Sequence, residues 1–127
     1  MESQSYTAKT VVLLQNLDAG VPTPDIFKIA ESKVNAADVP QGGLLLQVLA
    51  MSADPYLRGQ IRSTGAIKQG CPMSGFVSGK VLVSNNVAWK ADDLFGGSLP
   101  FSTFQIVTSE HLMKTVMWKL TGLINED

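Results

Sequence analysis

The sequence predicts a mainly β, barrel-like domain carrying one or two short helices. Three observations support this: many short strand-like runs, eleven glycines punctuating them, and few segments with helical character. At 127 residues, 45% hydrophobic and 17% charged, the chain suits one globular domain with one core.

The expected elements follow in order. A polar leader, residues 1–9, precedes Thr10-Val-Val-Leu-Leu-Gln15, a β-branched run that reads as the first strand. Asn16 to Asp25 contains Asp-Ala-Gly and Pro-Thr-Pro and must loop. Ile26 to Val34 alternates apolar and polar residues, a strand pattern. Pro40-Gln-Gly-Gly43 is a turn whose glycines can take positive φ. Leu44 to Ala53, between that turn and an Asp-Pro breaker, reads as a buried strand.

Asp54 to Arg62 reads as a short helix, with Asp54 as N-cap, Pro55 in the first turn and Gly59 limiting it to two turns. After a loop, Met73 to Ser84 returns to strand, with Gly75 and Gly79 marking a bulge or close backbone approach. Asp93 to Ser98 and Phe101 to Val107 read as a pair of strands around Pro100. Ser109 to Leu120 fits helix through Leu112, Val116 and Leu120, and strand through Thr115-Val-Met-Trp118, with Gly122 ending either.

Composition excludes several functions. Ten basic against eleven acidic residues, with no basic stripe, argue against nucleic-acid binding. The most apolar run, Gly43 to Ala53, is too short to span a bilayer, so no membrane role is expected. The opening Met-Glu-Ser-Gln-Ser lacks a basic n-region, and the expected location is cytoplasmic. Cys71 and His111 stand alone, reading as a buried or half-buried thiol and a surface or capping histidine, so no zinc site is expected. Gly-x-Ser-x-Gly, Gly-x-Gly-x-x-Gly and the phosphate-loop motif are all absent. The seven aspartates and four glutamates form no acid–base pair. Alone, the chain does not read as a complete catalyst. One feature stands out: both arginines, Arg58 and Arg62, lie four apart beside Tyr56, where they could grip an anion, pin the helix to a neighbour or simply be solvated.

Ala50-Met-Ser-Ala-Asp-Pro-Tyr-Leu-Arg-Gly59 resembles the signature of the zinc-independent double-bond reductases of the medium-chain dehydrogenase/reductase superfamily, which include prostaglandin and alkenal reductases. Pro24-Asp-Ile-Phe27, the Gly-containing strand Met73 to Val83 and Pro100-Phe-Ser-Thr-Phe-Gln105 resemble the family pattern around it, over about residues 10–124. The resemblance implies a GroES-like, partly open β-barrel forming one wall of a substrate cleft. It implies that 125–127 begin a linker to a Rossmann domain that binds NADPH. Where the zinc-dependent branch places metal ligands, this chain has Met51-Ser-Ala53 and Ser74-Gly-Phe76.

The implied activity is NADPH-dependent reduction of activated C=C bonds in small enones, enals or quinones, with no catalytic residue assigned in this chain. Tyr56 is the implied cleft wall near nicotinamide and substrate. Met51, Ser52 and Asp54 mark its edge, and Arg58 orients the helix or touches cofactor phosphates. The whole enzyme is expected to be a homodimer through the nucleotide domain, and this piece a monomer. Leu120 to Asp127 reads as a connection cut mid-course, favouring an excised domain. The alternatives are a non-catalytic interaction domain and an inactive remnant of the family.

Overall fold

A computed structural model describes residues 4–121. Two antiparallel sheets form a partly open barrel. The smaller is a hairpin of β1 (Ser5–Leu13) and β2 (Phe27–Asn35), in register from Ser5 opposite Asn35 to Leu13 opposite Phe27. The larger has the order β6-β3-β4-β5-β7, built from β3 (Leu44–Met51), β4 (Ser74–Ser84), β5 (Leu94–Pro100), β6 (Phe104–Val107) and β7 (Met117–Lys119). Two short helices, α1 (Leu57–Gln60) and α2 (Ser109–Lys114), complete it.

The sheets meet through a ring of main-chain hydrogen bonds. Val11 N–H donates to Phe101 O (2.9 Å), Phe101 N–H to Met73 O (2.7 Å), and Met73 N–H to Val11 O (2.8 Å). Three strand ends thus satisfy one another's backbone groups where neither sheet continues, which leaves the barrel joined but unclosed. The main core lies between the sheets. Leu13, Leu44, Leu46, Val81, Phe95, Leu99 and Ile61 are all essentially inaccessible there. Leu45 is equally buried but outside that cluster. Opposite it the register slips between Leu45 and Leu46, which pair with Val83 and Val81, so Leu82 bulges out of β4.

Several elements depart from the sequence reading. The first strand starts at Ser5, not Thr10. Its polar residues occupy the exposed face, while Ala8 is buried and Tyr6 stacks on Phe104 at 4.8 Å. Ile26 closes a single 3₁₀ turn (Pro24–Ile26) rather than opening β2, its N–H bonding Thr23 O. Of the Gly42-Gly43 pair only Gly42 takes positive φ (79°). The strands around Pro100 both form but do not pair: β5 lies between β4 and β7, and β6 returns to the outer edge of β3. Ser109 to Leu120 holds both candidates. α2 is capped by Thr108, whose side chain accepts from His111 N–H, and β7 follows it. Gly122 and the 125–127 linker lie outside the described residues. Among the described residues no helix is long and apolar enough to cross a membrane.

Candidate functional site

The segment leaving β3 carries the site, and a bulge aims it. Val48 pairs with Gly79, but the next pair is Ala50 with Ser78, so Leu49 is the extra residue and β3 bends. Beyond the bend, Ser52 N–H donates to Phe76 O (2.8 Å), fixing the chain to β4. Ser52 Oγ donates to Asp54 Oδ1 (2.8 Å). The Asp54 carboxylate therefore takes a side-chain partner instead of capping the helix as the sequence suggested. Only its main-chain carbonyl serves the turn, accepting from Leu57 N–H (3.1 Å), and Tyr56 occupies the N-cap position with no side-chain bond. Gly59 keeps α1 to four residues.

A cavity of about 510 Å³ opens where this segment meets the junction of the sheets. Met51, Ser52, Asp54 and Arg58 border it, as do Val11, Phe27, Leu57, Ile61, Met73 and Phe101. The walls are mostly apolar, and the volume is in the range of small-ligand pockets. A second hollow of about 240 Å³ lies between Met51, Ser52, Phe76 and Ser78. Met51 and Ser52 thus form part of the wall of both.

Four of the five residues named from the sequence therefore share one cavity. Tyr56 does not border it. Tyr56 is 44% exposed, and its ring meets the Phe76 ring edge-on at 6.2 Å; the Trp118 ring stands a further 6.2 Å from Phe76. Gly75 and Gly96 leave room for this aromatic row, since a Cβ at either would approach Tyr56 Oη (3.1 Å) or Trp118 Nε1 (2.8 Å). Phe76, Trp118, Phe101 and Phe27 were not singled out by the sequence reading. Phe76, Phe101 and Phe27 reach the hollows from β4, the loop after β5 and β2, and Trp118 of β7 extends the aromatic row; local pattern does not reveal such long-range convergence.

Arg58 pins the helix to a neighbouring loop. Its Nη1 donates to Leu17 O (2.7 Å) and its Nε to Gly20 O (3.2 Å). Arg62 is exposed and does not share that role. Asn16 is the other fastener, missed in the sequence because a lone loop asparagine carries no pattern. Its amide donates to Ile61 O (3.0 Å), Arg62 O (3.3 Å) and Ile67 O (2.9 Å), and its Oδ1 accepts from Gln69 N–H. Asp18 accepts from the Ser63 hydroxyl and N–H; these bonds, with Arg62 and Arg58 nearby, hold its carboxyl below the usual aspartate range. Replacing Asn16 by Ala leaves Ile67 O and Gln69 N–H without their partner, while Ile61 O keeps Leu17 N–H and Arg62 O keeps Gly65 N–H. It is expected to lower unfolding free energy by about 2 kcal/mol, read in urea titrations, with amide exchange accelerated across 57–70.

Cys71 is exposed, not buried or half-buried as its residue type suggested: its main chain is held by a bond from Leu13 N–H of β1 to its carbonyl and by its own N–H to Lys68 O, and its side chain faces outward. His111 is exposed on α2. Among the described residues no three of His, Cys, Asp and Glu converge.

Comparison with known proteins matches residues 9–115 to the family described as the N-terminal domain of oxidoreductase. The chain is 28% identical over 130 residues to dehydrogenase FUB6 of Fusarium oxysporum f. sp. lycopersici, covering 94% of this chain and 36% of that protein. It is 27% identical over 104 residues to the 2-alkenal reductase (NADP(+)-dependent) of Nicotiana tabacum, covering 76% of this chain and 30% of that one. Its fold superposes on CurA of Vibrio vulnificus in complex with NADPH, with a TM-score of 0.71 at 20% identity, over 94% of this chain and 33% of that one. The chain thus spans about a third of the length of these proteins.

Proposed function

The chain belongs to the family of N-terminal domains of oxidoreductases, and from that premise we propose that it forms the substrate side of an NADPH-dependent reductase of activated C=C bonds, in enones, enals or quinones. The observation that carries this is the apolar cavity of about 510 Å³ bordered by the Met51–Arg58 segment. Its aliphatic and aromatic walls suit the hydrocarbon body of such a substrate, and the few polar groups sit together at Ser52, Asp54 and Arg58. The relatives that support the substrate class are reductases of alkenals and of curcumin by their names.

Only part of the cofactor suits this chain. Among the described residues the two α-helices have four and six residues, and no glycine-rich turn opens a helix that could receive a pyrophosphate. Phe76, which borders the smaller hollow with Ser52, and Tyr56, edge-on to it, offer aromatic surface suited to a nicotinamide ring. NADPH, held mainly by a second domain outside this chain, would supply the hydride. This chain's residues would bind and orient the acceptor: the cavity takes its apolar body and keeps water from it, and Met51 and Ser52 form the edge. Arg58 acts on the site through the loop it holds, since two of its donors are committed to Leu17 and Gly20. The reading invokes no zinc, because Met51–Ala53 and Ser74–Phe76 lack histidine, cysteine and carboxylate.

The test is steady-state reduction of an aromatic enone by the full-length product of the gene. Tyr56→Ala is expected to lower kcat/KM roughly tenfold through loss of the ring packing that faces the hydride donor. Unchanged kinetics would remove Tyr56 from the site. The exposed Tyr56–Phe76–Trp118 row also favours a second reading, a non-catalytic domain that docks another protein through this face.

A further inference from the structure

We propose that Ser52 is a specificity-determining hydrogen-bond acceptor, selecting ligands that present a hydroxyl donor, such as a phenol, to the wall between the two hollows. This rests on the reading of the larger cavity as the substrate pocket. Ser52 Oγ donates its one proton to Asp54 Oδ1 at 2.8 Å. What Oγ has left to offer is its lone pairs. The Ser52 backbone is fixed independently, its N–H bonded to Phe76 O at 2.8 Å, so the hydroxyl is held from both sides. Ser52 borders both hollows, and the walls around it are contributed mainly by Met51, Ala53, Phe76 and Phe101. The polar groups beside Oγ are Asp54, itself an acceptor, and Arg58, two of whose donors are taken by Leu17 O and Gly20 O. A ligand carbonyl or ether oxygen at the same point meets an acceptor and is rejected. Asp54 acts as a positioning residue, because it sets the direction of the serine hydroxyl.

The test uses the 127-residue chain and two probes, 4-hydroxybenzylideneacetone and its O-methyl ether, titrated while amide spectra are recorded. The expected result is shifts at Met51, Ser52 and Phe101, with the phenol binding roughly fivefold to tenfold tighter than the ether. In Ser52→Ala that ratio should fall to about one by loss of the acceptor, and Ser52→Thr, which keeps the hydroxyl, should restore it. Asp54→Asn, whose amide can donate to Oγ, should shrink or invert the ratio. Well-dispersed spectra of each variant establish that it folds. Binding of both probes with equal affinity, or a ratio unchanged in Ser52→Ala, overturns the role of Ser52 while leaving the pocket in place. A ratio unchanged in Asp54→Asn overturns the positioning role. Absence of shifts at the cavity with either probe overturns the pocket and this inference together.

Discussion

Phe95→Ala is expected to destabilise the domain by about 3–5 kcal/mol. The ring is fully buried near the start of β5, opposite Gly79 of β4 on one side and Lys119 of β7 on the other. It belongs to the cluster that includes Leu46, Val81 and Leu99. Its removal loses the transfer free energy of a phenyl group and leaves a cavity that strands on both sides hold open, since their ladders prevent collapse. Against a typical total of about 5–15 kcal/mol, the loss is a large share. Urea titration should show a lower midpoint with an unchanged slope, as the surface exposed on unfolding stays the same. Phe95→Leu fills most of the space and should cost less than half as much. A loss below about 1 kcal/mol for Phe95→Ala would mean that the core lies elsewhere.

The second large effect belongs to Gly79. A Cβ there would lie 2.0 Å from the carbonyl oxygen of Gln47 and 3.0 Å from Val48 Cα, both main-chain atoms of the paired strand. No side-chain rotation relieves that overlap, so β3 must move away from β4 at the bulge. Gly79→Ala is expected to cost about 3 kcal/mol and to displace the strand that delivers Met51 and Ser52 to the cavity. Two readouts follow: a lower denaturation midpoint, and amide shifts that extend from residue 79 to residues 50–52. Gly59→Ala is the control, since nothing lies within 4 Å of a Cβ at Gly59. It should be neutral or slightly stabilising by helix propensity. Equal behaviour of the two variants would contradict the close approach at Gly79.

These residues also show what a sequence discloses and what it withholds. Gly79 was legible as a bulge or close approach because glycine within a strand pattern has few other uses. The strand beginning at Leu44 and the two-turn limit on α1 were equally visible, being set by local turn chemistry, whereas the pattern of 109–120 left helix and strand as alternatives and the chain holds one after the other. The pairing of β6 with β3 was not, because nothing in Phe104 to Val107 distinguishes an edge strand of one neighbour from another. Nor was the early start of β1, where polar side chains on a solvent-facing surface look like leader. In the site, the Asp-Pro-Tyr-Leu-Arg run located the segment, and four of its five named residues meet at one cavity. The opposite wall, from Val11, Phe27, Met73 and Phe101, depends on how the two sheets join, and no local pattern encodes that junction. Asp54 looked like a helix cap because Asp before Pro suits that role; Ser52, two residues earlier, claims its carboxylate instead.

The central claim is that this chain supplies the substrate side of a reductase whose cofactor is held mainly by another domain. Calorimetric titration of NADPH into the 127-residue chain and into the full-length product of its gene tests it most directly. The account predicts binding by the full-length protein and none by the 127 residues alone. Tight binding to the 127 residues would contradict it by revealing a nucleotide site here, with Arg58 and Arg62 the first places to look. Absence of binding in both would contradict the reductase reading itself and favour the interaction domain or an inactive family remnant.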